Sequence, residues 1–238
     1  MKLLIVNPNS SEVVTGAIME SARRAASQGT ELIPITSKGG PRNIDSAYGD
    51  YMAGHHMLDA VREAVPTHRP DAIVLAGFGN VGIGALKEIM DVPVVSISEA
   101  SMAMACLLGH RFSTLTMLRQ FIPYQQDLVR LYGFEAKCAS VRAININVEE
   151  CVTNREESLR QLSEQVQTLV REDGAEVVIL AGAGLCGYDE ALTKMAGAPV
   201  LDPVAVAVKV AESFVALGVC HSKVRKFHAP PQDLKAYE

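Results

Sequence analysis

The 238-residue chain predicts an α/β protein built from two related halves, and three observations carry that expectation. The first is a repeat. Residues 71–82 read Asp-Ala-Ile-Val-Leu-Ala-Gly-Phe-Gly-Asn-Val-Gly, and residues 176–187 read Glu-Val-Val-Ile-Leu-Ala-Gly-Ala-Gly-Leu-Cys-Gly. The second is that the echo continues: Asp-Val-Pro-Val-Val-Ser-Ile at 91–97 matches Gly-Ala-Pro-Val-Leu-Asp-Pro at 197–203. The third is that the apolar runs are continuous, as in parallel strands covered on both faces. Residues 83–90 and 188–196 each have space for a short helix, so each copy spells strand, glycine turn, helix, strand.

The other elements follow in order. Residues 3–6 form a strand that ends at Asn7-Pro8-Asn9, and Ser10 or Ser11 caps a helix over about 12–26. Residues 31–36 form a strand, a loop runs through Gly39-Gly40-Pro41, and a helix spans roughly 46–64. In the second half, 112–116 and 139–144 are strands separated by a helix at 123–132 that stops at Gly133. A long amphipathic helix covers about 154–172, and 203–217 is the last helix. No Gly/Ser/Pro linker divides the halves. They are expected to share a broad interface with a cleft at the C-terminal strand ends, where open parallel sheets place ligands.

Composition narrows the function classes. Hydrophobic residues make up 48% and charged residues 21%, which suits a globular fold with a sizeable core. The net charge of −5, with no Lys/Arg cluster, speaks against nucleic acid as a partner. The apolar start stops at Asn7, far short of a signal-peptide core, and no apolar stretch reaches the ~20 residues of a membrane span. Five scattered cysteines without a CxxC pair read as reduced thiols in the cytoplasm, not as disulfides or a zinc site. The histidines show no metal spacing with carboxylates or thiols, so no metal is expected.

Two copies of Gly-x-Gly-x-x-Gly also invite a dinucleotide reading, with Glu99 lying 22 residues after Gly77 and Asp202 lying 20 after Gly182. The crossover helices are short for it, and no chain remains for a catalytic domain. Tight turns packing helix on strand would explain some of the glycines but not their symmetry. Exposed amides at two facing turns explain both, as paired cradles for a carboxylate or for the carbonyls of a small ring.

The chain resembles the aspartate/glutamate/hydantoin racemase superfamily, and within it the hydantoin and allantoin racemase branch. The resemblance runs through Ile5-Val6-Asn7-Pro8-Asn9-Ser10, Gly40-Pro41 with Ile44, Ser46 and Tyr48, then Phe78-Gly79-Asn80 and Ser96-Ile97-Ser98-Glu99-Ala100. It continues through Arg111-Phe112-Ser113 with Thr116, Tyr132-Gly133-Phe134 and Asp202-Pro203. It implies two flavodoxin-like lobes related by pseudo-twofold symmetry. Residues 1–98 with about 205–238 would form the first lobe and 99–204 the second, with the ligand cleft between them.

The resemblance also implies a cofactor-independent isomerase that acts by two-base proton transfer. One thiolate removes the proton beside a carbonyl, and a second thiol returns one to the opposite face. Those thiols correspond to positions 77 and 182, which are Gly77 and Gly182 here, and the branch's second threonine appears as Met117 after Thr116. Glycine carries no acid or base, so racemisation is expected to be weak or absent. Cys186, placed in the first helical turn after the second glycine run, and Glu99 are candidate substitutes. Asn9, Pro41, Phe78, Gly79, Asn80, Thr116, Ala183 and Gly184 are the expected contacts to a cyclic ureide or related carboxylate, and Tyr48 could close over them. The alternatives are lyase- or hydrolase-type chemistry on a related ligand, or a non-catalytic binding homologue. A dinucleotide-binding oxidoreductase stands third. A cytoplasmic homo-oligomer is expected.

Overall fold

The computed structural model describes residues 1–146, 151 and 154–230. Two four-stranded parallel sheets organise it. In the first, strands β1 (Lys2–Asn7), β2 (Glu31–Thr36), β3 (Ala72–Leu75) and β4 (Val94–Ser96) lie in the order β2-β1-β3-β4. In the second, β5 (Phe112–Thr116), β6 (Cys138–Ala143), β7 (Val177–Leu180) and β8 (Val200–Leu201) lie in the order β6-β5-β7-β8. The two orders are the same relative to each half's own first strand, which is the duplication read from the glycine runs.

Among the described residues the α-helices are α1 (Glu12–Ala25), α2 (Ala47–His68), α3 (Ile83–Ile89), α4 (Ile97–Leu108), α5 (Phe121–Leu131), α6 (Arg155–Arg171), α7 (Asp189–Ala196) and α8 (Pro203–Leu217). Several begin where the caps predict. The Ser11 hydroxyl accepts from the Val14 amide, Ser46 accepts from Gly49, and Ser96 accepts from the Ser98 and Glu99 amides. Helix α2 runs one turn past the expected 64 and carries Pro66 in that last turn. No described helix is long and apolar enough to cross a membrane.

The continuous apolar runs are explained by burial on both strand faces. Leu3 and Ile5, Ala72 and Val74, and Val177 and Ile179 face a core between the two sheets, with α1, α4 and α8 inside it. Leu4 and Val6, with Ile73 and Leu75, face a separate core under α2 and α3. Val178 and Leu180 face a third under α6 and α7. Helix α8 packs on α1 and α4 and touches β3 and β4, so the last described helix returns to the first sheet. Residues 231–238, the end of the segment assigned by sequence to the first lobe, lie outside the described residues.

One contact of α8 has a pH consequence. The Glu212 carboxylate accepts from the Ser27 amide at 2.7 Å, the Ser27 hydroxyl at 2.8 Å, the Thr30 hydroxyl at 2.7 Å and the Lys209 ammonium at 2.9 Å. Burial raises its pKa, but the Thr30 and Lys209 bonds and those from Ser27 outweigh it and hold the group at about 2, below its ordinary 4.5. A depressed folded-state pKa contributes stability that is complete above 4.5 and disappears as the pH falls through about 2. Glu212→Gln is therefore expected to lower the melting temperature at pH 7 and to flatten the acid limb of a melting curve measured from pH 5 to pH 2. An unchanged acid limb would refute the assignment.

Candidate active site

The C-terminal ends of the two central strands in each sheet open onto one cavity of about 710 Å³. After β1 come Pro8 and Asn9, and after β3 come Ala76, Gly77, Phe78 and Gly79. The other sheet supplies Thr116 and Met117 at the end of β5, with Ala181, Gly182, Ala183 and Gly184 after β7. Both glycine turns thus border the same space. The third glycine of each turn is the one the backbone demands: Gly82 has φ 66° and Gly187 has φ 85°, a region that side chains avoid. Gly182 is extended, with φ 170°, and tolerates any residue on backbone grounds.

The space where a first-glycine side chain would begin is filled from neighbouring segments. A Cβ on Gly77 would lie 2.6 Å from Cγ of Pro8, and a Cβ on Gly182 would lie 2.9 Å from the Met117 Cε methyl. Pro8 is a ring in a loop that Asn7 fastens: its amide donates to Asn9 Oδ1 at 2.9 Å, to the Ser11 carbonyl at 3.1 Å and to Thr15 Oγ1 at 3.0 Å. Among the described residues, no carbonyl or side chain accepts from the amides of Phe78 and Gly79 or of Ala183 and Gly184. Those amides are available to a ligand.

Of the contacts expected from sequence, Asn9, Phe78, Gly79, Thr116, Ala183 and Gly184 line the cavity together with Gly77 and Gly182. Pro41 and Asn80 do not. Pro41 turns its carbonyl to the Ser10 amide at 3.1 Å. Asn80, held at φ 61°, donates to the Tyr132 hydroxyl and accepts from the Ser96 and Ser98 hydroxyls, which makes it the hub of a buried polar knot behind the turn. Tyr48 is exposed on α2 and does not line the cavity.

The two proposed thiol substitutes also lie outside the lining. Cys186 follows a 3₁₀ turn at Ala183–Leu185, and α7 begins only at Asp189, so the first helical turn expected around it is not there. It is buried, and burial first, then the charge of Asp202 and a hydrogen bond to it, push its thiol pKa well up. That is the reverse of what an activated thiol needs. Glu99 pairs with the buried Lys87 ammonium at 2.6 Å.

The structure adds residues that sequence reading did not pick out. The loop before α2 and the start of α2 bring Arg42, Asn43 and Asp50 to one wall. Helix α5 contributes Phe121, Tyr124 and Leu128 to another. Gln125 braces that wall from a buried position, donating to the Ala181 carbonyl at 3.1 Å and accepting from the Thr114 hydroxyl at 2.8 Å. Burial raises the pKa of the Asp50 carboxyl above its ordinary 3.8. On the outer side of α2, the ligand atoms of His55, His56 and Asp59 lie within 4.8 Å of one another, and none of the three borders the cavity.

Comparison with known proteins identifies the family and the fold. The sequence profile of the Asp/Glu/Hydantoin racemase family matches residues 3–211. A hydantoin racemase of Paenarthrobacter aurescens is 34% identical over 98% of this chain and 98% of its own length. The crystal structure of an allantoin racemase from Pseudomonas fluorescens superposes with a TM-score of 0.93 at 36% identity, covering 98% of this chain and 99% of that one. An allantoin racemase from Klebsiella pneumoniae gives 0.93 at 31% identity, over 98% of this chain and 94% of its own. The chain belongs to the Asp/Glu/hydantoin racemase family, in the branch that holds the hydantoin and allantoin racemases.

Proposed function

We propose that the protein binds a five-membered cyclic ureide of the hydantoin or allantoin type, or a carboxylate of similar size, between the turns at Gly77 and Gly182. The observation that supports this reading is the single cavity bordered by both turns, in a chain similar along its whole length to racemases of such rings. The unpaired amides of the two turns are donors for ring carbonyls, and in a desolvated site they would also hold the negative charge that develops on a carbonyl when the adjacent proton leaves. Asn9, Phe78 and Thr116 line the walls that would orient the ring.

In this reading Gly77 and Gly182 occupy the positions of the family's two thiols, one on each face of the stereocentre. Neither can carry a proton, so the two-base reaction is expected to be lost. Met117, which stands where the resemblance implies a threonine, packs into the space at position 182, and Pro8, part of the motif shared with the family, packs against position 77. A second reading, different chemistry on the same class of ligand, is favoured by the carboxyl of Asp50 in the cavity wall. We place the protein in the cytoplasm, as a homo-oligomer that needs no cofactor.

Saturation-transfer proton NMR with single enantiomers of allantoin and of a 5-substituted hydantoin tests the reading, with polarimetry on the same samples. The expected result is transfer to the ring protons and an optical rotation that decays no faster than in buffer. Decay well above the buffer rate would remove the argument from the glycines. No transfer to either ring would remove the cyclic-ureide reading.

A further inference from the structure

We propose that the Asp50 carboxyl group acts as an acid–base group in the cavity, from the side of the Gly77–Gly79 turn, so that the protein exchanges the proton beside a ligand carbonyl without inverting the centre. The proposal rests on the ligand class argued above. Asp50 lies in the first turn of α2 and lines the cavity, and its Oδ1 lies 3.7 Å from the position a Cβ would take on Gly79. It therefore stands beside the turn whose Phe78 and Gly79 amides lack acceptors among the described residues. The other acids of the lining are placed differently. Asp127 is paired with Arg130 at 3.0 Å on the solvent side of α5, and Asp45 is exposed. No described residue donates to the Asp50 carboxylate or pairs with it, and it is half-buried. A desolvated carboxyl without a partner holds and releases a proton more readily near neutral pH than a solvated one does.

The step balances within the protein and its ligand. The Asp50 carboxylate takes the proton from the ring carbon next to a carbonyl. The C–H electron pair moves into that carbonyl to form an enolate, and the turn amides hold its oxygen. The carboxylic acid then returns a proton to the same carbon. With glycine at 182 and Asp127 paired with Arg130, no described residue is assigned to deliver a proton to the opposite face. The product is the starting enantiomer, and only the enantiomer whose C–H bond faces Asp50 reacts.

The test is proton NMR in D2O on each enantiomer of a 5-substituted hydantoin, with chiral chromatography of the recovered ring. The wild-type protein is compared with Asp50→Asn, and ring binding is followed by saturation transfer in both. The expected result is loss of the C5 proton signal for one enantiomer above the buffer rate, with enantiomeric purity kept. The exchange should fall about 10²-fold or more in Asp50→Asn while binding persists. Because the wild-type carboxylate is desolvated without a partner, the variant is expected to melt no lower than wild type. Exchange that survives in Asp50→Asn, exchange with inversion at an equal rate, or binding without exchange would each overturn the role of Asp50 and leave the ligand reading standing. Absence of binding would overturn both.

Discussion

A triple variant carrying Gly77→Cys, Gly182→Cys and Met117→Thr is expected to racemise a 5-substituted hydantoin at least 10²-fold faster than the wild-type protein. The three changes belong together for steric reasons. At position 182 the backbone is extended and accepts a side chain, and the obstacle is the Met117 methyl, 2.9 Å from the new Cβ. That methyl ends a flexible side chain, and shortening it to threonine clears the site while placing there the hydroxyl that the family resemblance implies. At position 77 the obstacle is Cγ of Pro8 at 2.6 Å, a ring atom in a loop fastened by Asn7. The loop has to retreat, and overpacking of this kind typically costs about 1–3 kcal/mol. Gly182→Cys with Met117→Thr alone should fold nearly as well as wild type and should bring exchange from the second face. Inversion should appear strongly only when Gly77→Cys is added. Chiral chromatography of the ring, with melting temperatures of all variants, checks each step. A triple variant that is folded and binds the ring but does not racemise it would show that positions 77 and 182 do not flank the stereocentre.

The frame of the cleft is legible in the sequence because it is made of strands and turns. The runs at 72–75 and 177–180 are buried on both faces, so nothing polar interrupts them, and their glycines repeat because both halves make the same turn over the same kind of cleft. The walls are less legible. Asp50 is 27 residues from Gly77 in sequence and reaches the cavity only because the start of α2 lies beside the glycine turn. Nothing in Tyr48-Gly49-Asp50 distinguishes a cavity acid from an ordinary first-turn acid. Phe121, Tyr124 and Leu128 recur at helical spacing, which core packing alone would explain, and only the three-dimensional arrangement turns that face toward a ligand. Cys186 illustrates the opposite error. Its place after the glycines suggests a helix N-terminus, but the residues fold into a 3₁₀ turn first, and the thiol meets a buried carboxylate instead of a helix end.

That carboxylate, Asp202, carries a large stability effect for a single polar side chain. Its side chain is fully buried, and its two oxygens serve three separate segments. Oδ1 caps α8 by accepting from the Val204 amide at 2.9 Å and the Ala205 amide at 3.2 Å. Oδ2 accepts from the Ser21 hydroxyl at 2.6 Å and the Arg24 guanidinium at 3.3 Å on α1, and from the Gly187 amide at 3.0 Å at the end of the second glycine turn. Asp202→Ala removes a helix cap, worth about 1 kcal/mol, and strips partners from a buried hydroxyl and a turn amide, so a total loss of about 3–5 kcal/mol is expected. For a chain of this size that lowers the melting temperature by roughly 10 °C. Asp202→Asn keeps one acceptor oxygen for either α8 or the turn, not both, and should fall between the two. A second readout separates this role from general destabilisation. With the negative charge gone, Cys186 loses a cause of its raised pKa, and the turn beside it is less tightly held. Its reaction with a thiol reagent under native conditions should then accelerate in Asp202→Ala beyond what the lowered stability alone allows, as judged against an equally destabilised core variant such as Leu86→Ala. Equal rates in the two variants would confine Asp202 to capping α8.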